Sequence, residues 1–297
     1  MTTRHHTAPV EAVTISLGMV EFEIAVNAGP RVLGFRRPGG PDLLARLGDA
    51  GIDVPALGRF RFLGGHRLWR APEIPPITYQ PDDVAVEIEQ TDSSVAVTGA
   101  PDGDGVVKRL VLTVTGEQVM VEHVLVNAGA QAVEVAPWAI TQMAPGGTAY
   151  LPFGSGRDDG GVLPDRRLIV WPYTDLGAPE LDLDGTMISI HASLRPAKLK
   201  VGTENTRGWI AYHLNEELFV KWAPIHGEGA SYADKGASIQ CYRDERFLEL
   251  ETLGPLRTLA PGGTTVHTEM WQLLGVGDAD VRSVLEQLPT TPEGAHP

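Results

Sequence analysis

KRLVLTVTGEQVMVEHVLVN, residues 108–127, decides the fold class. Leu110, Leu112 and Val114 recur at every second position up to Gly116, and Arg109, Thr113 and Thr115 hold alternate places. Val119 and Val121 resume the alternation beyond it. A two-residue period puts successive side chains on opposite faces of an extended chain, so each run reads as a half-buried antiparallel strand. The same period recurs in VEFEIAV (20–26), VAVEIEQ (84–90), GWIAYHLN (208–215) and RFLELETL (246–253). Turn-forming clusters punctuate the runs: NAGP (27–30), RPGGPD (37–42), APDGDG (100–105) and APGG at both 144–147 and 260–263. Helical periodicity is confined to DADVRSVLEQL (278–288), with Asp278 as the expected N-cap, and to a weaker short turn over residues 41–51.

These signals predict an all-β chain: one large antiparallel β-sandwich over residues 9–288, with a short C-terminal helix and flexible termini at 1–8 and 289–297. At this length the strands are expected to curl and form a concave face. Neither an interdomain linker nor a solenoid period interrupts the pattern.

A formal net charge of -14 excludes nucleic acid and anionic membrane surfaces as expected partners, because both require a basic face. The opening residues MTTRHHTAPVEA carry no apolar signal-peptide core, and no run is long enough to span a bilayer. With the single cysteine, Cys241, this predicts a cytoplasmic protein, either a monomer or a homodimer. Nucleotide-binding glycine loops, a nucleophile elbow and metal-ligand spacings are all missing from the sequence, so no cofactor and no metal are expected. Cys241, within SIQCYRD, reads as a small buried side chain on a strand.

Two stretches could carry chemistry. In RFRFLGGHRLWRAPE (59–73), four arginines, His66, Trp69 and Glu73 gather in an acidic chain, bounded by Gly64–Gly65 and Pro72. Guanidinium forks suit carboxylate or phosphate, and an indole plate suits the C–H face of a sugar. The segment is expected to be a rigid binding loop. In RFLELETLGPLRTLAPGGTTVHTEMWQL (246–273), Phe247, Glu249 and Glu251 fall on one strand face, and Leu248, Leu250 and Thr252 on the other. Two carboxylates on one face repel, which raises the pKa of one of them and suits it to proton transfer near neutral pH. His267, Glu269 and Trp271 alternate in the same way and could lie across the same sheet.

The chain resembles the galactose mutarotase-like (aldose 1-epimerase) superfamily and, within it, a branch of domains of unknown function. EIAVNAGPRVLGFRRPGGPDLL, VLVNAGAQAVEVAPWAITQM and LELETLGPLRTLAPGGTTVHTEMWQLL are similar to its opening, middle and closing strands, and GGHRLWRAPE to the branch's own signature. The resemblance implies a β-supersandwich that opens an aldose, uronate or sugar phosphate ring by general acid/base catalysis. A strand glutamate acts as the base and a histidine as the acid. The motif places the base at Glu251, with Glu249 as the fallback. It places the acid near Trp138, where this chain has no histidine, which leaves the role to His66 or another loop histidine. Arg67, Trp69, Arg70, Glu73, Glu249 and Trp138 complete the expected binding set for a small saccharide, neutral or anionic. A non-catalytic saccharide-binding or sensing protein on the same scaffold is the alternative.

Overall fold

A computed structural model describes residues 9–153, 162–227 and 229–290. The expected flexible arms fall outside these residues, apart from 289–290. Two large antiparallel sheets make up nearly all of the structure. The eleven-stranded sheet runs, in spatial order, Ala12–Leu17, Val20–Ala25, Arg31–Arg36, Gly58–Ala71, Val133–Met143, Leu248–Leu253, Ile239–Arg243, Leu199–Thr203 and Ile169–Val170. Arg46–Val54 pairs with Gly58–Ala71, and Arg257–Leu259 with Val133–Met143. The ten-stranded sheet runs Leu181–Leu183, Met187–His191, Thr148–Pro152, Trp209–Leu214, Glu217–Trp222, Thr264–Gly275, Gln118–Asn127, Val106–Thr115, Ser94–Thr98 and Glu87–Gln90.

The opening stretch behaves as its period requires. Val106–Thr115 and Gln118–Asn127 pair from Val106↔Asn127 to Thr115↔Gln118. Leu110, Leu112, Val119, Val121 and Leu125 point into the space between the sheets. Facing them across one continuous core are Phe22, Val32, Phe35, Leu68, Leu248 and Leu250 of the other sheet. Burying that many aliphatic and aromatic side chains, at about 1.5–3 kcal/mol each, is the main force holding the sheets face to face. Cys241 is fully buried in this core.

Two local expectations are corrected. Residues 46–54 form a strand rather than a helical turn, because Gly51–Val54 ladder onto Gly58–Arg61. The C-terminal helix is shorter than expected, Val281–Glu286, and its cap is Asp280, whose side chain accepts from the Arg282 N–H. Leu285 anchors it to the outer face of the ten-stranded sheet beside Trp209, Leu218 and Trp222. No helix among the described residues is long and apolar enough to cross a membrane.

Candidate functional site: an aromatic cleft over two glutamates

The segment expected as a binding loop is a central strand, Gly58–Ala71, running between Arg31–Arg36 and Val133–Met143. Leu68 lies in the core, so alternation sends His66 and Arg70 to the inner face and Arg67 and Trp69 to the outer one. The neighbouring strands are in register with this pattern. Trp69 pairs with Trp138, Arg67 with Ile140, Ile140 with Glu251, and Gln142 with Glu249. Glu249 in turn pairs with Tyr242, and Tyr242 with Lys200. The outer face of five adjacent strands thus carries parallel rows of aromatic and charged side chains.

Above these rows lies a cleft of about 600 Å³. Trp69, Trp138 and Trp171 wall it, Tyr173 and Tyr242 close one side, and Glu249 is on its floor. Glu73 lies at the rim, where it accepts from the Tyr79 hydroxyl at 2.7 Å. The indoles of Trp69 and Trp138 meet edge to face at 5.4 Å. Apolar plates of this kind, with polar groups set between them, suit the C–H faces and hydroxyls of a saccharide ring.

Glu251 lies beneath the cleft and is fully buried. Its Oε2 accepts from Trp138 Nε1 and from Lys200 Nζ, each at 2.8 Å, while Oε1 has no hydrogen-bond partner among the described residues. Lys200 Nζ also stands 4.9 Å from the Trp138 ring and 4.8 Å from that of Trp171. Burial opposes the charge on Lys200, but Glu251 outweighs it and raises the lysine pKa. Burial raises the pKa of Glu251 against the pull of Lys200 and Trp138. Glu249 accepts from Gln142 Nε2 at 2.8 Å. Burial, and then the charge of Glu251, push its pKa up to about 7. The repulsion expected from two carboxylates on one strand face is therefore present, and it acts on Glu249.

Arg67 does not reach the cleft. Its guanidinium lies 4.3 Å from the Trp69 ring centre and 5.3 Å from that of Phe60, and all three of its nitrogens lack hydrogen-bond partners among the described residues. Burial and the nearby Arg31 lower its pKa to about 9. Arg70 forms ion pairs with Asp102, at 3.2 Å, and with Asp104, on the inner side. The expected pairing of Arg67 and Arg70 around one anion is not formed, because the two lie an odd number of positions apart on one strand and so point to opposite faces of the sheet.

His66 requires the same correction. It faces the inter-sheet core rather than Glu251 and is fully buried. There it joins a closed polar network. Its Nε2 is 2.8 Å from His123 Nε2, and its Nδ1 is 2.9 Å from Thr141 Oγ1. Burial first, and then His123, hold its pKa well below the ordinary histidine value. His267, Glu269 and Trp271 belong to the ten-stranded sheet and point into this interior, not toward Glu249. Lys221 lies 2.8 Å from Glu269, Trp271 Nε1 donates to its Oε2 at 2.6 Å, and the Thr252 hydroxyl donates to Oε1. Burial would raise the pKa of Glu269, but Lys221 and the three histidines outweigh it and keep the carboxylate ionised. His66, His123 and Glu269 bring ligand atoms within 4.8 Å of one another, the geometry of a metal-holding set. With both Glu269 oxygens already accepting hydrogen bonds and a lysine ammonium alongside, a proton network fits these atoms better than a cation does.

Lys200, Trp171, Tyr173 and Tyr242 also belong to the cleft, although the sequence reading did not select them. Their only local signals are the aromatic pair in WPYTD (171–175) and a lysine within the apolar strand LKVGT (199–203).

No protein-family model and no curated protein sequence matches the chain. Solved structures do, among them two galactose mutarotase-like proteins. A galactose mutarotase-like protein from Lactobacillus casei superposes with a TM-score of 0.58 at 10% identity, covering 89% of this chain and 100% of that one. A galactose mutarotase-like protein from Clostridium acetobutylicum gives 0.56 at 9%, covering 90% and 96%. A TPR-domain containing protein from Parabacteroides distasonis gives 0.63 at 16%, covering 97% of this chain and 50% of that one. The fold named by the sequence resemblance is thus the fold of the chain.

Proposed function

We propose that the cleft binds a small saccharide and interconverts its anomers by general acid/base ring opening. The observation that carries this reading is the placement of Glu249 and Glu251 on adjacent outward positions of one strand, under an aromatic-walled cleft. Glu251 takes the proton of the anomeric hydroxyl through Oε1, while Lys200 and Trp138 hold Oε2 and fix the carboxylate. Trp69, Trp138 and Trp171 stack on the ring. Lys198, exposed at the rim and without an ion pair among the described residues, suits a sugar carrying a carboxylate or phosphate.

A second reading, a non-catalytic saccharide binder, draws on one specific observation. Glu251 is fully buried, and an indole stands where the fold's catalytic histidine is expected. NMR exchange between the anomers of glucose, galactose, glucuronate and glucose 6-phosphate separates the two. Acceleration with at least one sugar, lost in Glu251→Gln, supports the enzyme. Binding without acceleration supports the alternative, and neither binding nor acceleration rejects both.

A further inference from the structure

Ring opening needs a proton donor for the ring oxygen, and the interior position of His66 and His123 removes both from that role. Among the described residues lining the cleft there is no histidine. The ionisable groups there are Glu73, Tyr79, Tyr173, Lys198, Lys200, Tyr242, Arg246 and Glu249. Glu73 is engaged at the rim by Tyr79, Arg246 is paired with Asp244, and Lys200 with Glu251. Burial pushes all three tyrosines up, so they remain protonated but are poor proton donors near neutrality.

We propose that Glu249 is the general acid of this reaction, working against Glu251 as base across a single strand. The inference rests on the function proposed above. Positions i and i+2 of a strand lie roughly 6.6 Å apart on one face, a spacing that lets two carboxyl groups flank one anomeric centre. The ring oxygen and the anomeric hydroxyl are both bonded to that centre. Gln142 Nε2 holds Glu249 Oε1 from the neighbouring strand and fixes the carboxyl without neutralising it.

The step balances with no further reactant. Glu251 removes the hydroxyl proton, whose O–H pair becomes the second C1–O1 bond. The C1–O5 pair leaves to O5, which takes the Glu249 proton. Rotation about C1–C2 exposes the other carbonyl face. O5 then attacks C1, Glu249 recovers its proton, and Glu251 returns one to O1.

The charged and titratable groups facing Glu249 are Glu251 on its own strand, Arg67 on Gly58–Ala71 and Lys200 on Leu199–Thr203. Tyr242 and Cys241 lie on Ile239–Arg243, and Tyr79 and Tyr173 on the flanking loops. Burial, and then the charge of Glu251, keep Glu249 protonated toward neutral pH, and ionisation near 7 switches the acid off.

The test uses the full chain and the pH dependence of anomer exchange on whichever sugar in the panel is accelerated. The wild-type rate should fall as pH rises through about 7. Glu249→Gln, which keeps the Gln142 contact, should lose about a hundredfold in rate together with that alkaline fall. A Glu249→Gln rate within twofold of wild type, or an unchanged alkaline limb, would overturn the acid assignment while leaving the proposed function standing. Carboxyl-¹³C glutamate NMR gives a second readout independent of turnover. One glutamate should titrate near 7, vanish in Glu249→Gln and move down in Glu251→Gln. Every glutamate titrating near its ordinary value of about 4.3 would also overturn it. If no sugar is accelerated, the proposed function itself fails, and the acid assignment fails with it.

Discussion

Replacing Lys221 with Met should destabilise the protein by about 3–5 kcal/mol, the cost of leaving one half of a buried ion pair uncompensated. Lys221 and Glu269 are both completely buried and lie 2.8 Å apart. The lysine also donates to Thr141 Oγ1 at 3.0 Å and reaches the Leu250 carbonyl at 3.3 Å. Methionine keeps most of the aliphatic stem, so packing contributes little to the loss. Glu269 retains the Trp271 and Thr252 donors but loses the cation that outweighs its desolvation. For a chain of this length the penalty corresponds to a fall in Tm of about 5–8 °C.

The pH dependence has a definite sign. In the wild type the folded pKa of Glu269 is depressed. Its contribution is therefore present above the unfolded value of about 4.3 and is lost as pH falls through the folded pKa. In Lys221→Met the folded pKa rises above the unfolded one, so the penalty grows from pH 5 toward pH 8. His123, whose Nε2 lies 3.8 Å from Glu269, can protonate at low pH and acts in the same direction. Urea unfolding at both pH values measures this, with Lys221→Met/Glu269→Gln as the control. The double variant should recover about 2 kcal/mol or more, because neither charge is then buried alone. A single-variant penalty below about 1 kcal/mol at pH 8, or one that shrinks as pH rises, would overturn the assignment of Lys221 as the partner that keeps Glu269 ionised.

Three further outcomes follow. Gly65 has φ +74°, and a Cβ there would stand 2.1 Å from the Val32 carbonyl oxygen, so Gly65→Ala should cost about 3 kcal/mol or more; a change within 0.5 kcal/mol, roughly the scatter of a surface substitution, would contradict the close approach. Trp171→Ala removes a half-exposed cleft wall, so saccharide affinity measured by calorimetry should drop roughly tenfold, about 1.4 kcal/mol, with Tm almost unchanged; wild-type affinity would remove that wall from the binding site. Tyr212 donates to the Ala144 carbonyl and accepts the Gly147 N–H at 3.0 Å, so Tyr212→Phe should cost about 1–2 kcal/mol in thermal unfolding, and a neutral result would show that the turn holds without it.

The fold was legible because its signal is local. Val119, Val121 and Leu125 announce one buried face without reference to any other part of the chain. The glutamate pair was legible for the same reason, since Leu248 and Leu250 fix which way Glu249 and Glu251 point. His66 shows where the reading stopped short. The glycines and proline around GGHRLWRAPE suggested a loop, yet Leu68 inside it is a core residue. Treated as a strand, the segment would have set His66 and Arg70 opposite to Arg67 and Trp69. Lys200, Trp171 and Tyr173 were out of reach for a different reason. They meet Glu251 and Trp138 only through strand pairings separated by fifty residues or more in places, and no local pattern encodes those pairings. The inward turn of Glu269 was likewise settled by sheet assignment, because Thr264–Gly275 ladders onto Gln118–Asn127 and not onto Leu248–Leu253.

The activity proposed for the cleft over Glu249 and Glu251 is the conversion of one anomer of a sugar into the other. Two-dimensional exchange NMR on freshly dissolved α-anomers, with wild type and Glu251→Gln side by side, tests it most directly. Cross-peaks between anomers should grow with wild-type concentration and be absent with the variant. Exchange at the spontaneous rate with wild type, or equal acceleration by Glu251→Gln, would contradict it.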